Sequence, residues 1–292
     1  MADADARAWW LNLDADVEFE RPEGYQTPRA LLRHAARQAP LLAALTASEP
    51  TIDPSAAPTV LPPRGVDVVC WCPTPFALRS LARLGYHPPR APSLDILQRV
   101  NHRRFLFEVV EPSDNRRWID VGQDLRWLEH SPRRGLRLKR AYGFAGRGQR
   151  VIRGEPSADD RRWIRDSLNH GLLVEPELEV RRELTIHGLL VGHRKWLGRP
   201  CVQRCDRWGR VEGIELASVH DAARSALVEH AECVAERLRA AGYFGPFGLD
   251  FLVSESGPGE CGQLSEINAR MSLGWSMGMA EHREAALRSL HE

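Results

Sequence analysis

Gly248-Leu249-Asp250-Phe251-Leu252-Val253, then a glycine-rich turn, then Leu264-Ser265-Glu266-Ile267-Asn268-Ala269-Arg270: this stretch decides how the chain is read. Phe, Leu, Val and Ile dominate both flanks. Residues 254–262 hold three glycines and a proline, so two strands joined by a turn are expected. A hairpin centred on Pro258 sets Asp250 directly opposite Glu266. Side chains alternate faces with period two, which puts Glu266, Asn268 and Arg270 on one face. Two carboxylates facing across an antiparallel ladder repel each other. A divalent cation between them turns repulsion into ligation. Hard Mg²⁺ takes carboxylate and amide oxygens, with water and phosphate completing its shell. The hairpin reads as a magnesium–nucleotide site; the alternative is a solvent-facing polar stripe, common on antiparallel sheets.

A second element lies upstream, Leu136-Arg137-Leu138-Lys139-Arg140-Ala141-Tyr142-Gly143-Phe144-Ala145-Gly146-Arg147-Gly148-Gln149-Arg150-Val151-Ile152. A short alternating strand carries Lys139, a loop with Gly143, Gly146 and Gly148 follows, and an apolar strand returns. Glycine lets backbone N–H groups approach an anion with no side chain between. This is not a Walker loop, because no Gly-Lys-Ser/Thr and no following helix are present. A Gly-rich hairpin closing over a triphosphate fits; the alternative is a plain hairpin with a softened turn. Composition singles out Lys139. Of forty basic residues only Lys139 and Lys195 are lysines, and a compact ammonium meets phosphate as a point charge where guanidinium is a planar fork.

In this order the two elements resemble the ATP-grasp superfamily, in particular the ATP domains of D-alanine–D-alanine ligase and biotin carboxylase. The likeness rests on the Lys139–Gly148 loop, a hinge at Leu173-Val174-Glu175-Pro176, Glu183-Leu184-Thr185, and the Asp250 and Glu266-Ile267-Asn268-Ala269-Arg270 pair of strands. It covers residues 99–274. The resemblance implies an α/β (α+β) fold whose two lobes clamp ATP, preceded by a small N-terminal α/β lobe. It implies that Glu175 and the Leu178 backbone take adenine, that Glu183 takes the ribose, and that Asp250, Glu266 and Asn268 hold Mg²⁺, with Mn²⁺ as a substitute. Members often carry another lysine at the opening of the ATP domain. Here that stretch reads Asn101-His102-Arg103-Arg104-Phe105, so Arg103 or Arg104 would serve. Lys195 stands where a second phosphate-directed lysine sometimes sits, although its surroundings read equally as a polar turn.

The implied organisation is a pre-ATP lobe over residues 1–98, a small subdomain over 99–172 with the Gly-rich loop, and a large subdomain over 173–292 with the metal site. At 292 residues the chain exceeds one compact core. A strand at 9–13, a helix at 27–45, a Pro-rich linker at 50–63, a buried strand at 66–72 and a helix at 76–84 suggest a parallel sheet in the first lobe. Helices are expected at 157–170, with Ser157 as N-cap, and at 221–241, closed by Gly242. His187 and His193 flank residues 188–192 and are read as structural or solvated, with a substrate-facing role left open. A net charge of +1 gives no basic excess for nucleic acid, and no apolar run reaches membrane-spanning length. No signal peptide is read before Trp9, and no C-terminal domain of the kind some carboxylases carry is expected after Arg270. The six cysteines are dispersed without CxxC spacing, so reduced thiols in a cytoplasmic protein are expected.

These features point to an ATP- and Mg²⁺-dependent ligase joining a small-molecule or peptide carboxylate to an amine through an acyl phosphate. Lys139 would hold phosphate, and Arg270 would stabilise charge as the carboxylate attacks. Partners would be the small-molecule carboxylate and amine; a homodimer is compatible with the sequence. Two rivals stay open: a phosphotransferase of the same fold, and a non-catalytic nucleotide-binding sensor or assembly protein.

Overall fold

The structure, a computed structural model, describes residues 7–27, 38–52, 61–110, 115–123, 134–143, 146–206, 209–255 and 262–291. In the first lobe, strands β1 (Arg7–Trp10) and β2 (Asp67–Cys70) pair in parallel, with Trp9 opposite Val69. Both faces of this pair are covered. Trp9 and Val69 enter the main core, whereas Ala8, Trp10, Val68 and Cys70 pack with Ala77 and Leu81. A two-sided burial of this kind explains a run of apolar residues rather than an alternation.

Helix α1 (Ala15–Glu20) follows the first strand; α2 (Ala39–Thr46) starts from Gln38 with Pro40 in its first turn and Thr27 is not helical, so the bounds expected for a helix at 27–45 are not kept, and residues 28–37 lie outside the described ones. Residues 53–60 of the expected linker also lie outside. The first strand stops at Trp10 because Asn12 takes over the bonding: its Nδ2 donates to the Cys72 carbonyl at 2.7 Å. Helix α3 (Pro75–Leu84) starts where Thr74 accepts from Ala77 N–H, and ends at Gly85 in the left-handed region.

The middle of the chain builds a four-stranded antiparallel sheet. Helix α4 (Leu94–Asn101), a 3₁₀ turn (Arg103–Phe105) and α5 (Leu106–Val109) lead into β3 (Arg117–Ile119), β4 (Leu136–Arg140) and β5 (Gln149–Ile152). Helix α6 (Ala158–Ser167) and β6 (Leu172–Pro176) close it, in the order β3-β6-β4-β5. Ser157 and Asp160 form a capping box at the start of α6, and a 3₁₀ turn at Leu168–His170 ends it. Leu136, Leu138, Ile152 and Val174 bury one face with Ile164 of the helix. The alternate residues Arg137, Lys139 and Glu175 are thereby turned to the other face. The expected division at residue 172 coincides with the first residue of β6, so this sheet runs on to Pro176.

The last part is a six-stranded sheet of β7 (Val180–Val191), β8 (Arg194–Leu197), β9 (Cys201–Cys205), β10 (Val211–Leu216), β11 (Gly245–Ser254) and β12 (Gln263–Asn268). Its order is β10-β9-β7-β11-β12, with β8 on β7. Leu184, Ile186, Phe247, Leu249 and Phe251 share a core with Leu227, Ala231, Val234 and Leu238 of the long helix α7 (Asp221–Ala240), which closes at Gly242. Short helices α8 (Trp275–Gly278) and α9 (Arg283–Ser289) finish the chain. Among the described residues no helix is long and apolar enough to cross a membrane. Period-two alternation leaves Glu183, Thr185, His187, Asp250, Glu266 and Asn268 on the face away from α7.

Candidate active site

A cleft of about 350 Å³ opens between the two sheets, lined by Lys139, Glu175, Glu183, Asp250, Glu266 and Asn268 among others. On its floor Asp250 stands directly opposite Glu266 in the β11–β12 ladder. The register shifts immediately after this pair, because Phe251 is opposite Leu264 and Ser265 has no partner. Such a bulge re-aims a side chain. Ser265 thereby reaches the other sheet, where its Oγ accepts from Lys139 Nζ at 3.0 Å.

Asp250 is an acceptor on both oxygens, from Gln203 Nε2 at 2.9 Å and from Asn268 Nδ2 at 2.8 Å. Burial, then the charge of Glu266, pushes its carboxyl up to about 7. Glu266 Oε1 accepts from Arg103 Nη2 at 2.8 Å. Two hard carboxylates in register, one pressed toward neutrality, make a donor set that fits Mg²⁺. Asn268 offers Asp250 its N–H₂, while its Oδ1 accepts from Arg270 Nη1. Among the described residues no three His, Cys, Asp or Glu side chains converge on a metal position.

The opposite wall is the sheet that carries Lys139. Its ammonium lies 2.6 Å from Glu175 Oε1, and both side chains are almost fully buried. Burial alone would raise the Glu175 carboxyl, but Lys139 together with Arg116, 3.7 Å from Oε2, and Arg137 outweighs it and holds the group below the usual carboxylate range. The Glu175 carboxylate therefore faces Lys139, and Pro176 and Leu178 line the cleft beside it. Gly143 has no room for a side chain. A Cβ there would lie 2.6 Å from the Arg147 carbonyl and 3.0 Å from Arg103 Nη1. Gly146 and Gly148 take positive φ, and residues 144–145 of the loop lie outside the described ones. Glu183 lines the cleft and accepts from Cys205 Sγ at 3.1 Å.

Three expected residues separate here. Arg103 is buried at the cleft, whereas Arg104 is exposed and pairs with Asp120 at 3.5 Å. Lys195 requires a correction. It lies on β8 with its ammonium toward Glu232 and Glu236 of α7, at 3.6 and 3.5 Å, and it does not line the cleft. The physical reason is the strand's outer position: β8 flanks the helix that carries those two acids. His193 sits in the exposed β7–β8 turn, while His187 is buried on the cleft side of β7, where burial pushes its pKa down to about 3.

The N-terminal lobe contributes more than the sequence suggested. Arg270 Nη2 donates to Asp16 Oδ2 at 2.8 Å. Burial opposes the Arg270 charge, but Asp16 and Glu266 more than offset it and raise its pKa. Asn101, at the end of α4, clamps the backbone beside it by accepting from Ala269 N–H at 3.0 Å. Leu13, Trp71, Met271 and Leu273 add an apolar end to the cleft. Nothing in Asn12-Leu13-Asp14-Ala15-Asp16 marks Asp16 locally, because its partner lies at position 270.

No family model matches the chain, and no curated protein matches its sequence. Its structure is similar to N5-carboxyaminoimidazole synthase of Aspergillus clavatus, solved with ADP and 5-aminoimidazole ribonucleotide. That likeness has TM-score 0.56 and 14% identity and covers 99% of this chain and 77% of that one. N5-carboxyaminoimidazole ribonucleotide synthetase of Thermus thermophilus gives 0.55 and 16%, over 97% and 77%. A biotin carboxylase–β,γ-ATP complex of Campylobacter jejuni gives 0.55 and 16%, over 74% and 52%. The chain has the ATP-grasp fold, a mixed α and β architecture.

Proposed function

We propose that this ATP-grasp chain is an ATP- and Mg²⁺-dependent ligase that activates a carboxylate as an acyl phosphate and couples it to an amine. The observation that carries the reading is the facing pair Asp250 and Glu266, set across one cleft from Lys139, Gly143 and Gly146. The solved structures of like fold with ADP or a β,γ-ATP ligand support it.

Asp250 and Glu266 would hold Mg²⁺, with Asn268 adding an oxygen ligand once its Oδ1 turns from Arg270, and the metal would neutralise charge on the phosphates. Lys139 has three donors. Glu175 and Ser265 take two, and the third serves a phosphate oxygen. The Gly-rich loop supplies backbone N–H groups and covers the nucleotide, which keeps water from the activated carboxylate. The hinge backbone through Leu178 reads adenine, and Glu183 takes the ribose hydroxyls. Arg270, held charged by Asp16, stabilises the negative charge that develops as the carboxylate oxygen attacks phosphorus. Catalysis is then positioning plus electrostatics, with no covalent step on the protein.

The test is an ADP-release screen over amino acids and small carboxylates, with mass detection of products. A ligase gives ADP, phosphate and a coupled product together. A stable phosphorylated product alone, or binding without ADP, overturns the reading.

A further inference from the structure

A second cavity, of about 570 Å³, shares no lining residue with the cleft. It lies where the first lobe meets the six-stranded sheet. Strand β2 supplies Val68 and Cys70, the end of β7 supplies Val191, and the segment after α7 supplies Phe244 and Pro246. Cavities of this size hold small molecules, and apolar walls reward burial of an apolar body.

The charge on this cavity has one sign. Arg90, Arg194 and Arg239 line it, and none of the described residues lining it is Asp or Glu. The whole chain carries 40 basic and 39 acidic residues, so the excess is local. Arg90 stands in His87-Pro88-Pro89-Arg90-Ala91-Pro92, where the prolines fix φ, and its guanidinium lies 5.7 Å from the centre of the Phe244 ring. That cation is held in place before any ligand arrives.

Arg239 is half-buried and only partly engaged. Its Nη1 donates to both oxygens of Glu236, at 2.9 Å each. Nη2 reaches the Arg194 carbonyl at 3.5 Å, the far limit of a hydrogen bond, and the buried Nε has no acceptor. Buried donors normally find a partner. The Nε–Nη2 edge, which takes a carboxylate or phosphate side-on, is the one left to a ligand. The end of α7 would repel an anion through its last carbonyls, but those of Leu238 and Arg239 accept from Tyr243 and Gly242 N–H in the closing turn.

We propose that this cavity binds a small amphipathic anion, with an acyl or aryl body against Val68, Val191 and Phe244 and a carboxylate or phosphate head at the arginine rim. Apolar atoms leave water while the charge stays at the mouth among cations, so neither end is buried unpaired. The site is separate from the nucleotide cleft, and the proposal stands without the ligase reading.

The test is calorimetric titration of the full chain with octanoate and with octyl phosphate, each with and without saturating Mg²⁺–ADP. At least one should bind saturably, one per chain, with affinity unchanged by the nucleotide; the tighter of the two identifies the head group. Octanol should bind at least about tenfold more weakly, and octylammonium not at all. Arg239→Gln and Arg90→Gln should each weaken the anion about tenfold, the second in an exposed loop where the fold is not at stake. Displacement by Mg²⁺–ADP, octanol or octylammonium binding as tightly, unchanged affinity in both variants, or no binding of either anion overturns the site. A dimer in sedimentation velocity that Val191→Trp dissociates would overturn it too, and assign the cavity to a second copy of the chain.

Discussion

Arg270 reaches 254 positions back along the chain to donate to Asp16 at 2.8 Å, tying the end of β12 to helix α1. Neither side chain is more than 7% exposed. A guanidinium this deep is costly without a partner, so the N-terminal lobe helps to keep the cleft's arginine charged. The lobe is part of the site.

Removing one member of this pair strands the other. Arg270→Ala should lose about 3–5 kcal/mol of stability in urea unfolding. Replacing both, as Asp16→Leu with Arg270→Met, should recover most of that loss, because well-packed apolar residues often substitute for a buried pair. Turnover should stay lost in the double variant. Recovered turnover would make Arg270 a structural residue only.

Lys139 makes a similar case on the opposite wall. Lys139→Ala leaves Glu175 with Arg116, 3.7 Å away, as its remaining buried ion-pair partner, and should cost less than the about 3–5 kcal/mol of a fully unpaired buried charge, with weakened ATP binding by calorimetry. Lys139→Arg should be impaired as well, since a planar fork must fit a site built around Glu175 and Ser265. Full activity in Lys139→Arg would contradict this. Glu175 has its pKa lowered, so its contribution is present above the unfolded carboxyl pKa and is lost as pH falls through the folded value.

Asp250 has the opposite sign. Its folded pKa is raised from 3.8 to about 7, so between those values the folded chain keeps a proton that the unfolded chain releases. Rising pH through that window destabilises the protein without metal, each unit of pKa difference being worth about 1.4 kcal/mol. Asp250→Asn should remove this slope. Mg²⁺–ATP competes with the proton, so its increment in Tm should grow between about pH 6 and about pH 8 in the wild type and stay flat in Asp250→Asn. An increment independent of pH in both proteins would remove Asp250 as a ligand.

The Asp250–Glu266 pairing was legible because one turn and a period-two alternation determine which residues face each other. Lys139 was legible because its residue type is rare in this chain. The engagement of its ammonium was not, since the acceptors Glu175 and Ser265 come from two other strands, and Ser265 faces Lys139 only through a bulge. Choosing between Arg103 and Arg104 needed the burial of a 3₁₀ turn, which adjacent identical residues do not encode. Lys195 matched a motif position, yet its strand lies against α7, and helix acids claim it. Asp16 escaped for a third reason: its partner is set by the packing of separate lobes.

The most direct measurement supplies hydroxylamine in place of the amine during ADP release with each carboxylate of the screen. An authentic substrate should give ADP and hydroxamate in equal amounts, only with Mg²⁺, and neither in Asp250→Asn or Glu266→Gln. Carboxylate-dependent ADP with no hydroxamate, or hydroxamate formed unchanged by both variants, would contradict the acyl-phosphate route.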